Sequence, residues 1–191
     1  MPTAQAQRRG AGPAVVAAAL LCALAGAAAA GDAPAATVIA EPGQATVTTV
    51  VAGIVSYTRW PSETRSIRLC TVGKGRGVDE LLAEADLGSP QLSVPVHAAK
   101  GAATALDECD AIYVGALASN ATRNLLQSAV GRPVLMIGEG PEFCTDGGMF
   151  CLQSAATVVG FAVNLDAVAR SGLRVNPRVL RMARSATGGT P

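Results

Sequence analysis

The sequence predicts an α/β fold: a single-domain sandwich with a mixed central sheet flanked by helices and two disulfides. Three observations predict it. Short apolar runs such as "SIRLCTVG", "AIYV" and "RPVLMIGEG" alternate with segments of helical periodicity, the pattern of helix-linked strands. Near the end, "GMFCLQ" and "TVVGFAVNL" follow one another as a hairpin, which adds an antiparallel pair. Four cysteines follow an export signal, and an oxidising compartment turns paired cysteines into bridges.

The chain begins with Arg8 and Arg9 and an alanine-rich apolar run from Ala14 to Ala30. This predicts a cleaved secretory signal peptide over residues 1–31, because the run is too short and too alanine-rich for a membrane anchor, which needs about 20 strongly apolar residues. Ala28 and Ala30 place the cut after Ala30 or Gly31. Gly10, Ala11 and Gly12 break the apolar continuation expected after a twin-arginine pair, so general secretion is the expected route to the periplasm. Cys22 has further apolar chain after it and no small-residue lipidation box before it, and is not read as a lipid site.

Residues 32–44 carry Pro34, Pro42 and Gly43 and read as a flexible linker. The domain is expected over 45–185, with a disordered tail at 186–191. Its first element, "ATVTTVVAGIVSYTRWP", is rich in β-branched residues, yet Val47, Val50, Val51, Ile54, Val55 and Thr58 recur at helical spacing; an amphipathic helix ending at Pro61 is expected. Then come a strand in Ser66 to Gly73, a helix in "VDELLAEADLG" ending at Gly88, and an extended "QLSVPVHA". A turn over Asp107 to Asp110 should lead into a strand at Ala111 to Val114. The helix "SNATRNLLQSAV" should be capped by Ser119 or Asn120, with Leu125, Leu126 and Val130 inward. "LDAVARSG" closes on Gly172, and "NPRVLRMAR" starts with Asn176 as cap and Pro177 at the first helical position.

About 160 mature residues are enough for one domain with a real core. From Asp32 onward the chain holds 13 basic and 14 acidic residues, which leaves no general nucleic-acid footprint. The balance is uneven, however: Arg170, Arg174, Arg178, Arg181 and Arg184 form a basic C-terminal stretch with no acid among them. Such a stretch is either a solvated helix face or a docking surface for an acidic partner or lipid headgroups.

Cys70, Cys109, Cys144 and Cys151 allow three pairings. A zinc site is not indicated, because the one histidine, His97, has no cysteine near it in sequence; nor is a C-x-x-C redox pair present. Cys70–Cys109 and Cys144–Cys151 fit the predicted sheet neighbours better than either crossed alternative. The glycine-rich "VGKGRG" lacks the order of a phosphate loop and reads as a surface turn. Asn120-Ala121-Thr122 matches a glycosylation sequon but reads better as a helix start. Asp107, Glu108 and Asp110 read as a solvated turn, and no nucleophile setting accompanies His97. Neither an enzyme nor a cofactor or metal site is expected. Trp60, the single tryptophan, is either a core anchor or, with Tyr57, an exposed interface residue.

"GIVSYTRWP", "LCTVG", "CDAIYVGAL", "RPVLMIGE", "CTDGGMFCL" and "FAVNLDAVARSGLRVNPRVLRMAR" occur in an order and spacing that resembles the YfiR family of periplasmic regulators, over roughly Thr46 to Arg184. The resemblance implies a non-enzymatic repressor, an α/β sandwich with both bridges, and a tendency to dimerise. It implies binding to the periplasmic sensor domain of a YfiN-like inner-membrane diguanylate cyclase, with relief by a YfiB-like outer-membrane lipoprotein. Cyclic di-GMP then rises and favours biofilm. The segment from Lys74 to Ala105 and the residues between Cys144 and Cys151 depart from the family pattern, which leaves contacts there open. The expected partner surface is the C-terminal segment, with Leu173, Val175 and Pro177 ringed by Arg174, Arg178 and Arg181. Two rival classes are a periplasmic small-molecule binding protein, which needs a deep apolar pocket, and a redox enzyme, which needs a reactive thiol.

Overall fold

Helix α1, Val47–Ser56, opens the fold and points Val47, Val50, Val51, Ile54 and Val55 into the core. Thr46 caps it, its hydroxyl accepting from the Thr49 amide. The computed structural model describes residues 45–62, 66–155 and 158–186, without the side chains of 155, 158 and 183–186. The expected signal peptide, linker and tail, apart from Ala186, lie outside the described residues.

The expected helix to Pro61 stops instead at Ser56. The Thr58 hydroxyl donates to the Ile54 carbonyl at 2.8 Å, and the backbone leaves as strand β1, Thr58–Arg59, which pairs antiparallel with β8, Arg174–Val175. That partner lies so far along the chain that local periodicity gives no sign of it.

The main sheet has six strands in the order β3-β2-β4-β5-β6-β7: Val96–Ala98, Leu69–Val72, Ala111–Val114, Leu135–Glu139, Phe150–Ala155 and Val158–Val163. The pairs from β3 through β6 are parallel and β7 is antiparallel, so the sheet is mixed as expected. β2 and β4 are buried at every position, as strands covered on both faces must be. The chain runs outward from β2 to β3 and then crosses back to β4 and on to β5, which puts the first connecting helix on one face and the next two on the other. Helices α2, Arg76–Ala83, and α7, Val179–Ala186, pack beside α1; α3, Ala102–Glu108, packs beside α4, Ser119–Ala129.

Local chemistry moves several boundaries. α2 ends at Ala83, not Gly88, because the Asp86 carboxylate accepts from the Gly88 and Val94 amides and the Ser93 hydroxyl, a local network that competes with helix. The expected turn at Asp107 to Asp110 is the end of α3, a short alanine-rich helix that buries only Ala105 and Leu106 and carries little periodic signal. α4 is preceded by Ala118 with no side-chain cap; Ser119 and Asn120 lie inside it. Val130, expected inward, is 63% exposed, since the backbone has already left the helix at this residue and turns out toward Gly131. The cysteine loop opens with one helical turn, α5, Pro141–Thr145. α6, Leu165–Ser171, ends as expected on Gly172 in the left-handed region, φ 79°. α7 starts at Val179, two residues beyond Pro177.

Both bridges are formed with the preferred pairing. Cys70–Cys109 spans a Cα separation of 6.0 Å and ties β2 to the junction of α3 and β4. Cys144–Cys151 spans 5.7 Å and ties α5 to β6.

Candidate partner-binding face

The C-terminal segment is built from α6 outward. Asn164 caps α6, its side-chain oxygen accepting from the Ala167 amide, while its amide nitrogen donates to the Cys144 carbonyl at 2.9 Å. One residue thus fixes the helix to the disulfide loop. At the other end the Ser171 hydroxyl donates to the Val168 carbonyl and accepts from the Leu173 amide, which carries the chain round Gly172. Leu173, expected on the surface, is only 6% exposed and belongs to the core. It anchors the segment and presents no contact area.

Beyond Leu173 the chain surfaces. Arg174 is exposed and Val175 half-buried in β8, opposite Arg59 and Thr58 respectively. The Asn176 amide donates to the Tyr57 carbonyl at 2.8 Å, which prolongs the ladder. Pro177 and Arg178 are exposed in the turn before α7, and the Asn176 side chain accepts from the Arg178 amide, so the residue expected to cap the helix instead closes the turn that precedes it. Val179 then returns to the core and Arg181 is exposed.

The register places Arg59 and Arg174 directly across a two-residue ladder, both exposed. Arg59 donates to the Ser56 and Thr58 carbonyls, and among the described residues none of Arg59, Arg174 and Arg178 is paired with a carboxylate. Like charges held opposite one another are unfavourable unless an anion answers them. Sequence reasoning missed Arg59, whose place beside the basic stretch depends on a strand pairing that only the folded chain reveals. Arg170 is answered by Asp166 on its own helix.

The other expected sites resolve differently. Trp60 is partly buried against the core and donates from its indole nitrogen to the Asp110 carbonyl at 3.1 Å. It is an anchor between the end of β1 and the start of β4. Asp110 also accepts from the Arg68 amide, and Asp107 pairs with Arg132, so these carboxylates fasten segments together. His97 is exposed on edge strand β3.

The glycine-rich stretch is more than a surface turn. Gly73 has φ 90°, and a β-carbon there would stand 2.8 Å from the Ala116 carbonyl. Its closeness lets Lys74 and Ala116 exchange backbone hydrogen bonds at 3.2 and 2.7 Å. The loops after β2 and β4 are thereby stitched together at the point where the strand order reverses, the usual ligand crevice of such sheets. Next to it, between the ends of β4 and β5, lies a cleft of about 180 Å³ lined by Val114, Leu117, Thr122, Glu139, Phe143 and Asp146. It is smaller and more polar than the pockets of about 300–1,000 Å³ that enclose drug-sized ligands.

Cys70, Cys109, Cys144 and Cys151 are all bridged. Among the described residues no helix is long and apolar enough to cross a membrane. A family model described as YfiR/HmsC-like matches residues 44–184, well over half of the chain.

Proposed function

The chain belongs to the YfiR/HmsC-like family, and from that premise we propose that it is a periplasmic, non-enzymatic repressor of diguanylate cyclase signalling. It binds the periplasmic sensor domain of a YfiN-like inner-membrane diguanylate cyclase and holds the cytoplasmic catalytic part off. A YfiB-like outer-membrane lipoprotein captures it and relieves that inhibition. It works as a homodimer, reaches the periplasm through the signal peptide over residues 1–31, and folds as one domain over 45–185.

The observation that carries the binding reading is the opposed, exposed pair Arg59 and Arg174, with Arg178 in the adjoining turn. Val175 and Pro177 supply a small apolar centre, Arg174, Arg178 and Arg181 a charged rim, and Leu173 holds the segment from beneath. An apolar centre with a charged rim suits protein recognition, and the positive field steers an acidic partner surface toward it. Repression by binding needs a rigid face and no nucleophile. Two bridges and a strand ladder are the sources of that rigidity.

The test is a titration of the cyclase's periplasmic domain, from the same organism, with the oxidised protein and with the double variant Arg174→Glu, Arg178→Glu. Affinity is expected to fall at least about tenfold, since reversing rim charges turns attraction into repulsion, with the thermal midpoint unchanged. Equal affinity for both proteins would remove this face from the interface.

A further inference from the structure

Gly53 stands in the interior of α1, where glycine weakens a helix relative to alanine. Its reason is Met182 of α7: a β-carbon on Gly53 would overlap the Met182 methyl and stand 2.8 Å from its sulfur. The bare backbone of α1 therefore forms a notch filled by the thioether. Val179, 1% exposed and one turn earlier on α7, faces inward on the same side. These two residues are the apolar hold of α7 among its described side chains.

We propose that Met182 is an oxidation site, and that its sulfoxide releases α7 from α1. Exposure selects it. Met136 and Met149 are buried in the core at 1% and 4% exposure, whereas Met182 is only partly buried and lies on α7, which packs on α1 and β7. The oxidant is hydrogen peroxide: the sulfur lone pair attacks one peroxide oxygen, the O–O bond breaks as the S–O bond forms, and the second oxygen leaves as water with the proton of the first. Sulfur is oxidised by two electrons and the peroxide reduced by two.

The notch does not accommodate the product. A sulfoxide oxygen is an acceptor, and the amides in the middle of α1 are already donating along the helix. The Gly53 carbonyl, which is itself an acceptor, already receives the Ser56 hydroxyl and the Tyr57 amide. The polar group then reaches its hydrogen bonds only in water, so it leaves the notch and takes α7 with it. Among the described residues every cysteine is bridged and offers peroxide no competing thiol. This proposal does not depend on the partner-binding reading, because its readouts are mass and backbone exchange.

The experiment treats the full exported chain with hydrogen peroxide, locates added oxygen by peptide mass mapping, and measures amide exchange before and after. Oxygen is expected on Met182 well before Met136 and Met149, with exchange of the α7 amides rising roughly tenfold and that of β4 and β5 unchanged. A methionine sulfoxide reductase should restore the original exchange. Met182→Leu keeps an apolar filling that peroxide cannot modify, so its α7 exchange should ignore the oxidant. Gly53→Ala, which favours α1 itself, should loosen α7 with no oxidant present. Equal oxidation of Met136, Met149 and Met182, or a Met182 sulfoxide with unchanged α7 exchange, would overturn the proposal.

Discussion

Asp86 is an exposed side chain that nevertheless accepts from the Ser93 hydroxyl at 2.6 Å and the Gly88 and Val94 amides at 2.7 Å. These bonds, led by the Ser93 hydroxyl, hold its carboxyl below the ordinary value of 3.8. A lowered folded value stabilises the loop above the unfolded value and loses that contribution as pH falls through the folded one. Protection of the Gly88 and Val94 amides, taken relative to their intrinsic exchange rates at each pH, should therefore fall as pH drops below the ordinary value of 3.8, a step that Asp86→Asn should lack. Identical profiles would show that the carboxylate does not hold the loop. Tyr113 has the opposite sign. Burial first, then its hydrogen bond to Glu139 at 2.6 Å, push its phenol far above the usual value of 10.0. Its contribution is complete below that value and is lost as pH rises beyond it. In a Tyr57→Phe background the phenolate absorbance should appear only with unfolding. Tyr113→Phe should cost about 1 kcal/mol at neutral pH and reduce the alkaline sensitivity.

At the scale of elements, what was legible followed from how locally each element is determined. The β4 strand at Ala111 to Val114, the β6–β7 hairpin and the Gly172 cap are written in adjacent residues, and the structure has them where the sequence puts them. β1 and β8 are two residues each and exist only through one another, so neither carried a signal. The same gap hid Arg59 from the basic face and left Leu173, a buried anchor, looking like surface. The end of α2 was misplaced because a carboxylate eight residues from one of its partners gathers the chain into a loop. Asn164 shows what one well-placed residue does for an element. Asn164→Ala removes both the α6 cap and the tie to Cys144, and should lower stability by about 1–2 kcal/mol in denaturant titration. Asn164→Asp keeps the cap acceptor and loses the tie, so it should fall between. An aspartate as damaging as alanine would mean that the Cys144 contact dominates.

For the whole molecule, the fold class, the mixed sheet and both bridges could be read from pattern and composition, whereas the two-stranded ribbon that assembles the basic face could not. The bridges differ in reach. Cys70–Cys109 closes 39 residues of chain and is buried at both ends, while Cys144–Cys151 closes 7 and has a half-buried Cys144. Loop-closure entropy gives the longer bridge about 4 kcal/mol and the shorter about 2.5 kcal/mol. Replacing Cys70 and Cys109 by alanine should therefore lower the unfolding free energy more than replacing Cys144 and Cys151, as read by denaturant midpoints. The reverse order would show that strain or residual unfolded structure outweighs chain entropy.

The ribbon of Thr58–Arg59 with Arg174–Val175 joins the first turns of the domain to nearly its last. Synthesis from the N-terminus delivers Arg59 early and Arg174 only when almost everything else has been made. Until then the early strand has no mate, and the basic face does not exist. A chain truncated after Gly172 would keep the main sheet's strands and both bridges yet lack this face entirely. The basic face is thus the mark of a finished chain: any fragment that ends before Arg174 lacks it, whatever else has folded.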